Sequence, residues 1–186
     1  MKIWRLEYDL DIVQGFVLKD QGLRETIMAR NNFRGHSIQN WEYVEVKRSG
    51  RKAICDIYAF SVQHPIVSVK SSEFFKLYFP EEIQLLDVFN GKEKFYILNV
   101  INLIDCLDMD KSKIEYFSSG RIMEVVSYSF KPDLIKESYL FKVPQYPSKI
   151  FATDRMKKLV ESTDLIGYKF VEVWNSERDT NRVDML

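Results

Sequence analysis

Two apolar runs, Leu85 to Val88 and Phe95 to Ile104, flank the dipeptide Asn90-Gly91, and this segment has the fewest structural options in the chain. Asn and Gly tolerate the positive φ that a tight two-residue connection requires, so the spacing predicts a β-hairpin. A hairpin this apolar must be covered by other elements, because two strands alone are not stable in water. Further strands are read from alternating apolar positions. KIWRLEY at 2–8 sets Ile3 and Arg5 against Trp4, Leu6 and Tyr8, and RIMEVVSYSF alternates over 121–130 behind Gly120. Strands are also expected at 41–47, 54–60, 65–69 and 139–143 and over the closing YKFVEVW, with Ser49-Gly50 joining the first two of these as a hairpin.

Helical spacing is rarer. SSEFFKLYF at 71–79 places Phe74, Leu77 and Tyr78 on one face, with Ser71 or Ser72 as cap and Pro80 as stop. Thr153 is the expected cap of a second helix over 154–163, where Met156, Leu159 and Val160 share a face. A thinner apolar stripe, Leu23 and Ile27 behind Asp20, marks a third at 20–33. The expected fold class is therefore α+β, a largely antiparallel sheet with two or three short helices packed on it. Residues 1–175 are expected to form one domain and 176–186 a flexible polar tail, since NSERDTNRVDML offers little to bury.

Composition narrows the function more by exclusion than by indication. Thirteen Phe, ten Tyr and three Trp favour wide packing surfaces in sheets. The 27 basic and 27 acidic side chains cancel, so no global field draws the protein to nucleic acid or to an anionic membrane. The largest local excess, Arg24, Arg30, Arg34, Lys47, Arg48, Arg51 and Lys52, is what a solvated surface ordinarily carries. No apolar run approaches the roughly 20 residues of a membrane span, and the start lacks a secretory pattern, so a cytoplasmic location is expected. Cys55 and Cys106 are expected to be buried free thiols.

Catalytic signatures are missing. His36 and His64 are the only imidazole bases, and no Gly-x-Ser-x-Gly elbow or glycine-rich phosphate loop accompanies them. Asp108, Asp110 and Ser112 alternate like the start of a calcium loop, but position six is Lys113 and position twelve is Ser119 where such loops need Gly and a bidentate Glu. Neither a cofactor nor a metal is expected. Two alternatives stay open on the residues alone. One is a small enzyme or ligand-binding protein with an unrecognised cleft joining His64 to Cys55, and the other is an RNA-binding accessory domain using the basic 24–52 region.

The second half is similar to the immunity-eleven family of bacterial polymorphic-toxin systems. The similarity runs through VSVKSSEFF at 67–75, FYILNVINLIDCLDMDKS at 95–112, the strand near Phe130, LFKVP at 140–144, IFATDRMK at 150–157 and GYKFVEVW at 167–174, covering roughly 65–175. What the resemblance implies is an antidote that binds and blocks a cognate toxin domain by occlusion, without catalysis. Asn99, Asp105, Phe141, Lys142, Thr153 and Trp174 are then expected to be fold determinants, because partner choice usually resides on variable surface. For toxin contacts, the charged connection carrying Asp108, Asp110, Lys111 and Lys113 is expected to be exposed.

Overall fold

The structure, a computed structural model, describes residues 1–9, 15–20, 22, 27, 33–50, 54–60 and 64–178. The helix expected over 20–33 lies almost wholly outside them, as do residues 179–186 of the polar tail. The fold is α+β. A four-stranded antiparallel sheet has the order β10 (Leu140–Phe141), β11 (Phe151–Thr153), β1 (Lys2–Tyr8), β12 (Tyr168–Asn175). A six-stranded sheet runs β2 (Gly15–Leu18), β3 (Val44–Ser49), β6 (Ile83–Asn90), β7 (Glu93–Val100), β5 (Ile66–Val67), β4 (Ile57–Tyr58). Its β3–β6 pair is parallel, and its other pairings are antiparallel. β8 (Lys113–Tyr116) and β9 (Ile122–Ser127) form a separate two-stranded ribbon.

The predicted hairpin is the centre of the larger sheet. β6 and β7 pair over their full length, from Ile83 opposite Val100 to Asn90 opposite Glu93. That register moves the turn by one residue: Asn90 is the last paired position, and Gly91, at φ 63°, and Lys92 form the connection. Glycine at the first central position is the requirement of a type II′ turn. β7 is buried on both faces. Phe95 and Ile97 enter one apolar cluster with Phe16, Val44 and Val88, while Tyr96, Leu98 and Val100 enter another with Phe75, Leu6 and Met156. β1 divides in the same way, Leu6 joining the second of these clusters and Ile3 a third built around Phe141, Phe151 and Trp174.

Two expectations about the smaller strands are corrected. The runs at 41–47 and 54–60 do not pair as a hairpin among the described residues: β3 lies between β2 and β6, β4 pairs with β5, and Ala59 after β4 bridges Gly15 of β2 in parallel. Val44 and Val46 are buried in this position beneath Phe16 and Phe95, a contact that direct pairing with β4 would not supply. The strand expected at 65–69 ends at Val67, because α1 (Val69–Tyr78) begins there.

The α1 cap is Ser68, not Ser71 or Ser72. Ser68 Oγ accepts from Ser71 N at 3.1 Å and donates to Asp56 Oδ1 at 2.6 Å. The Ser71 hydroxyl is engaged with Tyr168 Oη at 2.5 Å, and the Ser72 hydroxyl donates to Val69 O. Ser68→Ala is expected to cost about 1–2 kcal/mol, measured as a lower denaturation midpoint, since it removes a cap and a partner of the buried Asp56 carboxylate. A midpoint equal to wild type would mean the cap contributes nothing.

In α2 (Asp154–Glu161), Thr153 is at the cap position but its side chain does not cap. Thr153 Oγ1 instead donates to Ser138 O at 2.8 Å, tying β11 to the segment before β10. Beyond Trp174, Asn175 completes β12, and the next residues are held to the sheet. Ser176 N donates to Met1 O, and Arg178 reaches Glu172. Among the described residues no helix is long and apolar enough to cross a membrane.

Candidate functional site

The β8–β9 ribbon groups several partly covered apolar residues in one place. Ile114 and Ile122 are half-buried and Val125 is buried, and all three pack on the third cluster beside Phe151 and Trp174. Other apolar groups face outward where irregularities interrupt the pairing: Tyr116, Phe117, Met123 and Val126 are each between 42 and 53% exposed. Phe117 and Gly120 close the tip, Phe117 N donating to Arg121 O at 2.8 Å and Gly120 adopting a φ of 77°. Glu115 stands opposite Glu124, a like-charged pair that opposes the ribbon's own stability. The ribbon is thus anchored along one edge of its apolar set and open on the rest.

Beside the ribbon is a cleft of about 720 Å³. Tyr116, Arg121 and Ile122 of the ribbon line it together with Met109; Leu103 and the 144–148 segment contribute a further part. Tyr146 joins these walls, its hydroxyl donating to Met123 O at 3.4 Å. The remaining part is Arg34 and His36, from a segment held at Phe33, His36 and Ile38 by side chains far away in sequence. Lys142 Nζ donates to Phe33 O at 2.8 Å, Asn99 Nδ2 to His36 O at 2.9 Å, and the Gln84 amide both accepts from Ile38 N and donates to Ile38 O, each at 2.8 Å. Gly35, at φ 89°, lies so close to Leu103 that a Cβ would come within 2.8 Å of its side chain. Phe33, Gly35 and Ile38 are buried, while Arg34 and His36 project outward between them.

Lys142 is fully buried, and burial pushes its pKa down to about 8. Near it is the buried His64, whose ring centroid is 3.8 Å from that of Phe33. Burial first, and the Lys142 charge second, lower the His64 pKa to about 3. His64 is therefore neutral at physiological pH. Cys55 and Cys106 are buried free thiols, and burial raises the Cys106 pKa to about 12, which suppresses the nucleophilic thiolate. Among the described residues no group of three or more His, Cys, Asp or Glu side chains is placed to hold a metal ion.

The connection singled out in the sequence leads directly into the ribbon. Asp110, Lys111 and Lys113 are exposed, and Lys113 opens β8 opposite Ser127. Asp108 is half-buried and engaged in the turn: its Oδ1 accepts from Lys111 N at 3.2 Å and its Oδ2 is 3.8 Å from Lys111 Nζ. Asn99, Phe141, Lys142, Thr153 and Trp174 are buried, as fold determinants should be, whereas Asp105 is exposed and accepts from Gln145 Nε2 at 2.5 Å.

An immunity protein family (Imm11) matches residues 74–175, just over half of the 186-residue chain. The chain belongs to this immunity protein family. No curated protein matches it. The matched stretch contains the ribbon, the 144–148 segment and the three side chains that hold the 33–38 segment, Gln84, Asn99 and Lys142. Arg34 and His36 come from outside it. In this Imm11 member the family region thus carries the framework of the cleft and fixes the backbone on which two of its polar groups are mounted.

Sequence reading did not single out the ribbon surface or Arg34 and Arg121 as a site. Ser118-Ser119-Gly120 between KIEYF and RIMEVVS was the available hairpin signal, weak because the first strand spans only four residues. Arg34 was indistinguishable from the other basic residues around it until the Lys142 and Asn99 hydrogen bonds gave its segment a fixed position.

Proposed function

We propose that this chain is the antidote of a toxin–immunity pair, binding a cognate bacterial toxin in the cytoplasm of the producing cell and blocking it by covering its working surface. Membership of the Imm11 family over residues 74–175 carries this reading. The mechanism needs no chemistry from the antidote. The exposed aromatic and aliphatic groups of the ribbon supply the desolvated anchors on which tight protein complexes depend, and the connection with Asp108, Asp110, Lys111 and Lys113 borders them as a charged rim. Neither nucleic acid nor a membrane is the partner in this reading.

The test is co-expression with candidate toxin domains taken from the reading frames adjacent to this chain's gene, followed by titration of the purified pair. Protection of the cells and a one-to-one complex with a dissociation constant near ~1 nM, about −12 kcal/mol, are expected. Cells killed despite full expression of the folded antidote, with no complex in the titration, would overturn the reading.

A further inference from the structure

The cleft beside the ribbon has a charge that its surroundings leave uncompensated. Six arginines lie among the described residues, and four of them are ion-paired: Arg5 with Glu7, Arg48 with Glu93, Arg155 with Glu137 and Arg178 with Glu172. The other two, Arg34 and Arg121, have no ion-pair partner among the described residues, and both line this cleft. Among the described residues no carboxylate lines it, and Asp105 is already engaged by Gln145. Arg121 rests over the Phe117 ring, 6.0 Å from its centroid, and its Nε donates to Ser119 Oγ at 3.4 Å, so the two terminal Nη groups remain to meet an acceptor.

Geometry makes these two charges a receptor. The Arg34 backbone is set by the Lys142 and Asn99 hydrogen bonds and by the close seat of Gly35 on Leu103, so little loop ordering remains to be lost on binding. Arg121 follows the tip glycine of the ribbon. The rest of the described lining is mixed, aliphatic at Leu103, Ile122, Pro144 and Pro147 and aromatic at Tyr116 and Tyr146. We propose that this cleft receives an extended segment of the toxin in which carboxylate side chains flank an apolar residue, the carboxylates bonding Arg34 and Arg121. The inference rests on the toxin-binding reading above and specifies the chemistry of the partner. An RNA strand fits less well, because single-strand grooves follow the phosphate backbone with a row of cations and stack successive bases on aromatic platforms. Here the described lining offers two arginines in place of a row of cations, and its two tyrosines, Tyr116 and Tyr146, come from separate segments and form no continuous platform.

The experiment uses the full chain and the neighbouring toxin domain. Wild type, Arg34→Glu, Arg121→Glu and the double variant are compared by calorimetric titration at low and moderate salt, with Arg34→Gln/Arg121→Gln as the uncharged control. Both residues are exposed, so unfolding temperatures should match wild type. The expected result is a dissociation constant raised about 100-fold by the double reversal, a smaller loss for the Gln pair, and a weaker salt dependence in both. Wild-type affinity retained by the double reversal would overturn the cleft assignment while leaving the immunity reading intact. Tighter binding after reversal would also overturn it, by showing a basic partner segment. Absence of binding by wild type itself would remove both. A mixed-sequence 12-nucleotide RNA serves as the competing probe, and Arg-dependent capture of that RNA without toxin binding would likewise overturn the proposal.

Discussion

Replacement of Trp174 by alanine is expected to lower stability by about 3–5 kcal/mol, a large share of the roughly 5–15 kcal/mol that holds a domain folded. Trp174 ends the apolar part of β12, is 7% exposed and stands opposite Ile3 of β1 next to the irregularity between Ile3 and Trp4. Its ring meets Phe130 edge-on with centroids 5.9 Å apart, and Phe130 in turn packs against Phe141 and Phe151. A cavity there cannot be filled by a neighbour, because the adjoining groups are rings and strand side chains fixed by pairing on both sides. Equilibrium denaturation should show a lower midpoint with an unchanged slope. The same cluster anchors Val125 and Tyr128 at the base of the ribbon, so ribbon amides should lose hydrogen-exchange protection as well. Tyr116→Ala on the outer part of the ribbon is the contrast: half exposed, it should change stability by no more than about 0.5 kcal/mol. An unchanged midpoint for Trp174→Ala would make this side chain a surface group.

What could be read from the sequence was whatever depends on neighbours in the chain. Asn90-Gly91 between apolar runs marked the β6–β7 hairpin, and Phe74 and Phe75 ahead of Pro80 marked α1, since each signal operates within a few residues. The details failed where a distant group competed for the same atom. Ser71 does not cap α1 because Tyr168 engages its hydroxyl, and Thr153 does not cap α2 because Ser138 O takes its proton. The parallel β3–β6 pairing was likewise hidden, as nothing local in Val44 or Val88 encodes a partner across such a separation. The resemblance fixed the family and named Asn99 and Lys142 as structural. Their role as the donors that hold His36 O and Phe33 O became visible only in three dimensions, because those contacts span 63 and 109 residues.

Acidification from pH 7 to pH 4 is expected to remove about 3 kcal/mol of stability through His64 alone. The unfolded imidazole takes up its proton near 6.5, whereas in the folded protein burial and the Lys142 charge hold the pKa near 3. Between these values the unfolded state binds more protons, so stability falls as pH falls. The contribution is complete above about 6.5 and is lost progressively down to about 3. Lys142 acts in the same direction at the other end of the scale. Its folded pKa, pushed by burial to about 8 from 10.5, makes stability rise with pH between those two values. Denaturation midpoints of wild type and His64→Gln, measured at pH 7, 5.5 and 4, isolate the histidine, because glutamine does not titrate and any constant cost of the substitution cancels from the slope. The wild-type profile should be steeper by the stated amount, and parallel profiles would sink the assignment. The consequence reaches the cleft. Protonating His64 places a second buried cation beside Lys142, whose ammonium holds Phe33 O and with it the segment that presents Arg34 and His36. Amide exchange over residues 33–38 should therefore accelerate at pH 4 in wild type more than in His64→Gln.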